Sequence, residues 1–273
     1  MKFSVITINR NNASGLEKTI RSVLQQSYKD FEYIIVDGAS TDGSVDVIKE
    51  NIASVSSVSN PKVQWLGEPD SGIYNAMNKG IRMASGDYLL FLNSGDAFCN
   101  EHVLEDVLPT LNAVDIVVGR VNVVNSDGTI QRDVELKHKD ITLFPLYLYG
   151  IPHQASFVRR VLFDGCMYDE SLKINADWKF FLQTIIMQNA SVQVIPLTIA
   201  DYDGTGISSS NKELLLKERE QIFRKVVPER IASDYLKVFP HYYEVYRIEW
   251  LLRHRFFYKV YRLTVSLGMK LMK

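Results

Sequence analysis

The sequence predicts an α/β protein with a mostly parallel central sheet flanked by helices, and three observations carry that prediction. Short β-rich runs alternate with amphipathic segments from Phe3 to Leu92. The runs are apolar almost throughout, as strands covered on both faces are. A polar cluster follows each run, at the strand ends where open α/β sheets place their ligand crevice.

In chain order, Phe3–Ile8 reads as a buried strand. Ser14-Gly15-Leu16-Glu17 has the form of a capping box, and Leu16, Ile20, Val23 and Leu24 recur behind it at helical spacing. Phe31–Val36 is the second strand and Asp37 stands at its C-terminal end. The turn-rich Gly38–Ser44 leads into a short helix through Ile48. Val63–Leu66 is the third strand, Ile73 to Ala84 a helix, and Tyr88–Leu92 the fourth strand. Thr7–Asn9, Asp37, Glu68–Asp70 and Asn93–Asp96 therefore converge on one sheet edge. The second half is less regular. Asp115–Val124 and Thr129–Gln131 read as strands around the turn Asn125–Gly128, and Asp177–Met187 as a helix. Val192–Ile195 is a further strand, Asp203–Ser210 a loop, and Lys212–Val226 a helix.

With 273 residues the chain can bury one generous α/β core and still carry an appendage. A composition of 46% hydrophobic and 23% charged residues argues against wholesale disorder. The net charge of -1 gives no pointer to nucleic acid. Cys99 and Cys166 read as reduced thiols. Met1-Lys2 enters Phe3–Ile8 at once, a run too short for a signal segment and without a cleavage site, and no stretch has the length of a membrane span. These features set the expectation of a cytoplasmic chain.

The motifs at these strand ends resemble the family 2 inverting glycosyltransferases of the GT-A fold. The resemblance rests on Ser4–Asn11, Val36–Ser44, the long block Glu68–Gly80 and Ser85–Asp96, and covers roughly residues 3 to 210. It implies a GT-A-type, Rossmann-like domain over 1–227, with a nucleotide-binding half (1–98) and an acceptor-side half (99–227). Residues 228–273 form a helical C-terminal extension. The blocks are similar to the branch that builds bacterial O-antigen, capsule and colanic-acid repeat units. The implied donor is a nucleotide-diphosphate sugar, UDP ahead of GDP or dTDP. The implied acceptor is a hydroxyl of a glycan or of a polyprenyl-diphosphate-linked oligosaccharide.

Inverting transfer needs a base for the acceptor hydroxyl, stabilisation of the leaving diphosphate and a held nucleoside. The resemblance places Thr7, Asn9, Asp37, Asp70 and Asn93 around the nucleoside and donor. Taken alone, Asp37 also fits a turn former, Asp70 a helix N-cap, and Thr7 and Asn9 plain strand-end hydrogen bonding. Asp96 is the expected ligand of Mg²⁺ or Mn²⁺ on the diphosphate. The element departs from the family's acidic form, because Asn93 and Gly95 stand where other members often carry acids. Asp177, in Asn175-Ala176-Asp177-Trp178, is the expected catalytic base, and Trp178 reads as packing. His153-Gln154 belongs to the acceptor side or to a structural hydrogen-bond pair. Tyr202–Ser210 is either a lid that orders over donor or an ordinary loop.

From Tyr242 on, Arg247, Arg253, Arg255, Lys259, Arg262, Lys270 and Lys273 are opposed only by Glu244 and Glu249. A basic amphipathic helix of this kind suits an anionic membrane surface, giving a peripheral enzyme at the inner face of the cell membrane. It equally suits packing on its own domain or on a second subunit as a homodimer. Two other functions compete with transfer. A nucleotidyltransferase needs a Gly-rich basic loop after the first strand, where this chain has Asn9–Ser14. A catalytically degenerate nucleotide-sugar-binding or scaffold protein draws support from Asn93 and Gly95, against which Asp96 and Asp177 stand.

Overall fold

The computed structural model describes residues 2–53, 55, 61–111, 113–125, 129–136, 140–204, 211–241 and 254–271. Its first half is regular. Strands β1 (Phe3–Asn9) and β2 (Phe31–Asp37) are buried at every position, as two-sided burial of parallel strands requires. With β3 (Lys62–Gly67) and β4 (Tyr88–Phe91) they run in parallel in the order β3-β2-β1-β4. Asn9 lies in register with Asp37, and Asp37 with Gly67. The ladder continues past the strand ends: Gly38 N–H donates to Asn9 O (2.9 Å), Glu68 N–H to Asp37 O (3.1 Å) and Ser94 N–H to Ile8 O (3.1 Å). The loops after all four strands are thereby pinned to one edge.

Helices α1 (Ala13–Leu24), α2 (Ser44–Ala53) and α3 (Ile73–Met83) connect these strands. The expected Ser14–Glu17 capping box does not form. Asn12 caps α1 instead, its side-chain oxygen accepting from Gly15 N–H at 3.1 Å, and Glu17 pairs with Arg21. Asn12 Nδ2 also donates to Ser94 O at 3.1 Å, a tertiary tie that no local pattern contains. Helix α3 lies close on β1 because residue 80 is glycine: a Cβ there would stand 2.5 Å from Ile6 Cγ2.

Beyond β4 come β5 (Ala97–Phe98), α4 (Val103–Val107), β6 (Ile116–Val124), β7 (Ile130–Val134), α5 (Leu143–Tyr149), β8 (Ser156–Arg159), α6 (Ala176–Phe181) and β9 (Val192–Asp203). Here the sheet departs from the expected parallel pattern. Strand β8 inserts antiparallel between β4 and β6, β7 is antiparallel to β6, and β5 to β9; only β6 and β9 remain parallel. Among the described residues the result is one mixed nine-stranded sheet, order β3-β2-β1-β4-β8-β6-β9-β5 with β7 on β6. The expected helix from Asp177 to Met187 is α6 followed by a π-helical turn, Leu182–Met187. Strand β9 is longer than Val192–Ile195, and the turn at 126–128 and the loop at 205–210 lie outside the described residues.

The chain divides into two compact units, Met1–Arg219 and Glu220–Lys273, where the sequence places the break at 227/228. Helix α7 (Lys212–Val226) runs through this division. It is followed by α8 (Glu229–Val238) and α9 (Arg255–Leu271). Within the second unit the Phe223 and Tyr235 rings meet at 5.2 Å. Among the described residues no helix is long and apolar enough to cross a membrane.

Candidate active site

The pinned loops bring most of the expected residues to one edge. Asp37 is fully buried, and its carboxylate is closely partnered: Oδ1 accepts from Asn9 Nδ2 (2.7 Å) and Ser40 Oγ (2.7 Å), and Oδ2 from Ser40 N–H (2.8 Å). Asp70 lies against the next residue. A Cβ on Gly38 would fall 2.0 Å from Asp70 Oδ2, so glycine is what lets that carboxylate reach the backbone of the β2 loop. Asp70 Oδ1 accepts from Gly72 N–H at 3.0 Å and faces Arg10 Nη1 at 3.6 Å; the α3 N-cap is Gly72, so Asp70 is not the plain cap its position suggests. Thr7 is placed differently. It is fully buried and accepts from Tyr33 Oη at 3.0 Å, so its side chain belongs to the sheet interior and not to a pocket wall.

The Asn93–Asp96 turn closes on Thr19 of α1, whose hydroxyl donates to Asp96 O (2.6 Å) and accepts from Gly95 N–H (3.0 Å). Gly95 has φ of +108°, a conformation other residues rarely adopt. Lys18 Nζ donates to Gly95 O at 3.1 Å. Asp96 itself is 4% exposed, and no three His, Cys, Asp or Glu side chains gather into a metal cage among the described residues. A single carboxylate at this turn would suit a hard ion that keeps water and phosphate oxygens as its other ligands.

A second group forms around the Asn93 amide. Asn93 Nδ2 lies 3.3 Å from His153 Nε2, and His153 Nδ1 lies 3.3 Å from Asp177 Oδ2. An amide nitrogen only donates, so Nε2 accepts and the ring hydrogen sits on Nδ1, directed at Asp177. The Tyr74 hydroxyl stands between Asp177 Oδ1 (3.1 Å) and Ile174 O. Asn93, His153, Asp177 and Tyr74, drawn from four separated segments, thus make one hydrogen-bonded line. Gln154 is buried beside His153 and takes no part in it. Trp178 is buried, with Nε1 donating to Leu146 O at 2.9 Å.

The electrostatics favour an ionised Asp177. Burial pushes its carboxyl up, but the His153 hydrogen bond, the Trp178 amide and Tyr74 together pull it below the ordinary carboxylate range. Burial and the Asp177 charge push the Tyr74 phenol well above its usual value, so it stays a donor. Two acceptors at this edge have no partner among the described residues: Asn9 Oδ1 and Asn93 Oδ1, both buried. Their orientations are set by Asp37 and His153 on the amide nitrogens. Buried acceptors left unpaired are costly and point to donors supplied by a ligand.

Sequence reasoning missed Tyr74, Ser40 and Thr19. Tyr74 lies inside the Glu68–Gly80 block and shares a helix face with Asn78, whose amide holds Tyr168 O (2.9 Å) and Glu170 Oε1 (2.8 Å); that spacing was the available signal.

Comparison with known proteins agrees with this arrangement. Residues 4–165 match the family described as Glycosyl transferase family 2. A glycosyltransferase of Mycobacterium tuberculosis (strain ATCC 25618 / H37Rv) is 35% identical over 214 residues, covering 76% of each chain. A PGL/p-HBAD biosynthesis glycosyltransferase of Mycobacterium bovis (strain BCG / Pasteur 1173P2) is 28% identical, over 75% of this chain and 77% of its own. Two solved structures share the fold. Residues 1-349 of S. aureus TarS, bound to UDP-GlcNAc, superpose with a TM-score of 0.66 at 20% identity, over 85% of this chain and 69% of that one; of a longer TarS chain the match spans 42%. The mannosyltransferase PcManGT from Pyrobaculum calidifontis, with GDP-Man and Mn²⁺, gives 0.62 at 16% identity, over 86% and 69%. The chain is a glycosyltransferase of family 2, with the GT-A-like fold of these neighbours.

Proposed function

We propose that the protein transfers a sugar, with inversion, from a UDP-sugar to a hydroxyl of a glycan or lipid-linked oligosaccharide in cell-surface polysaccharide assembly of the O-antigen and capsule type. The observation that carries this reading is the placement of an ionised, His153-bound Asp177 on the same crevice as two unpaired buried acceptors, Asn9 Oδ1 and Asn93 Oδ1. The carboxylate is the base, and the unpaired acceptors receive ribose or sugar hydroxyls. Asp37 and Asp70 hold the nucleoside end, with Arg10 beside Asp70.

In the reaction the acceptor oxygen bonds to the anomeric carbon as its proton passes to Asp177. The bond from that carbon to the diphosphate oxygen breaks, and the nucleoside diphosphate leaves with the electron pair. His153 Nδ1–H and the Tyr74 hydroxyl hold the carboxylate in line. Asp96 is the residue that would hold Mg²⁺ or Mn²⁺, which when bound neutralises charge on the leaving diphosphate. UDP is favoured by the UDP-GlcNAc of the TarS neighbour.

Helix α9 fits this setting. Phe257 (47%), Val260 (47%) and Leu263 (64%) are exposed along it, with Lys259 and Arg262 also exposed, and no acidic residue follows Glu249. We place the enzyme at the cytoplasmic face of the membrane through residues 242–273, of which 242–253 and 272–273 lie outside the described residues. The variant K259Q/R262Q should bind phosphatidylglycerol vesicles more weakly than wild type and neutral vesicles no differently; equal binding to both removes this part of the proposal.

The transfer reading is tested by nucleotide release from a panel of UDP-, GDP- and dTDP-sugars, with Mg²⁺ or Mn²⁺ and with EDTA. Release from UDP-sugars, abolished by EDTA, is the expected result. Nucleotide-sugar binding with no release under any acceptor would favour the degenerate binding protein instead.

A further inference from the structure

Asp177 stands one residue inside α6, and the turn leading to it presents three consecutive backbone N–H groups. One side chain receives all three. Lys173 N–H donates to Glu218 Oε1 (2.9 Å), while Ile174 N–H (3.1 Å) and Asn175 N–H (3.2 Å) donate to Oε2, joined by Asn175 Nδ2 at 3.4 Å. Glu218 lies on α7 and is 6% exposed. Successive amides converging on one point form a nest that a carboxylate fills and a neutral side chain does not.

The adjacent residue grips the other side of the same turn. Arg219 Nε donates to Asn175 Oδ1 (3.3 Å), Nη1 donates to Tyr147 O (3.0 Å), and its guanidinium lies over the Trp178 ring at 5.3 Å. Tyr147 belongs to α5, which runs through Gly150 into Ile151-Pro152-His153. Two consecutive residues of α7 therefore touch the segment that carries Asp177 and the segment that delivers His153. Burying two charges at a place where apolar side chains would pack is expensive unless the geometry they impose is used.

We infer that Glu218 and Arg219 are positioning residues for the base: Glu218 fixes the turn that aims Asp177, and Arg219 ties that turn to the His153 segment while keeping a cation beside the Asp177 carboxylate. The groups facing Asp177 are His153 after α5, Tyr74 on α3, Tyr168 on the loop before α6, and Arg219 on α7. Burial pulls the Arg219 guanidinium down and the Asp177 charge holds it up, so the two stabilise each other's ionised form. The inference rests on Asp177 being the base and adds residues that neither the motifs nor the family match supplies, since the match ends at residue 165.

The test uses the full chain and the variants E218Q, R219Q, R219K and D177N, with L216S as an exposed α7 control. It has two readouts: nucleotide release from the UDP-sugar that wild type turns over fastest, across pH, and NMR titration of the His153 ring, assigned with H153Q. The inference expects E218Q to lower kcat roughly tenfold with the donor KM unchanged. It expects R219Q to raise the midpoint of the acid limb and of the His153 titration by about one pH unit, with R219K restoring most of the shift. Wild-type kcat in E218Q together with an unmoved His153 titration in R219Q would overturn it. Retained turnover in D177N would overturn the base reading alone, leaving the His153 titration to judge the brace, and L216S should match wild type in both readouts.

Discussion

The parallel first half and the mixed second half of the sheet are built by different means. In the first, four parallel strands place Asn9, Asp37, Asp70 and the Asn93–Asp96 turn on one edge, and ladder bonds such as Ser94 N–H to Ile8 O fix the loops by strand register. In the second, Asp177 and His153 sit on a short helix and a helical turn beside the mixed strands and are held by contacts from far away in the chain. Tyr74 reaches Asp177 across 103 residues, and Glu218 reaches Ile174 across 44. The proposed nucleoside pocket is thus carried by a repeated rule of strand register, whereas the proposed base is braced from each side by separate segments. Retaining the first while varying the second is a physical route to one donor chemistry with many acceptors.

That contrast can be broken by substitution. The largest effect belongs to Asp177→Asn, which should lower turnover by about 10²–10⁴-fold while UDP still binds with wild-type affinity in calorimetry. A parallel loss of binding would mean that the halves are not separable. Asp37→Ala should do the reverse. It abolishes UDP binding and, because Asn9 Nδ2, Ser40 Oγ and Ser40 N–H lose their acceptor, lowers unfolding free energy by about 2–3 kcal/mol in urea. Tyr74→Phe should cost roughly 5- to 20-fold in kcat with little change in donor KM, since it removes one hydrogen bond to the base.

The smallest effect sharpens the comparison by pH. Asp169, on the loop before α6, is held down to about 2 chiefly by its bond to Lys179 Nζ (2.6 Å) and then by Ser171. A depressed carboxyl pKa stabilises the fold above the unfolded value, about 3.9, and the contribution disappears as pH falls through about 2. Asp169→Asn should therefore lower stability by about 1 kcal/mol at pH 7 and by progressively less below pH 4, read as urea midpoints.

The difference between the halves also explains what could be read from the sequence. The strands to Leu92, the edge on which their loops meet, and the placement of Asp37, Asp70 and Asp96 there follow from apolar runs and turn residues. Asp177 was legible as a helix-start acid. The run after Gln154 was legible as β-like, but its antiparallel insertion between β4 and β6 was not, because that pairing is set by partners more than 30 residues away in sequence. The Thr7–Tyr33 hydrogen bond was not legible because it joins two strands, nor was the α1 cap, because Asn12 is chosen by Ser94 as well as by its own helix. Glu218 and Arg219 carry no local signal at all: on an amphipathic helix they read as solvated charges.

The central claim is a single in-line displacement with Asp177 as base. Proton NMR of the anomeric proton in the glycoside product tests it most directly. The account predicts an anomeric configuration opposite to that of the donor sugar. Retention of the donor's configuration would contradict it, because it would require a second nucleophilic step that Asp177, as an acceptor-side base, does not provide.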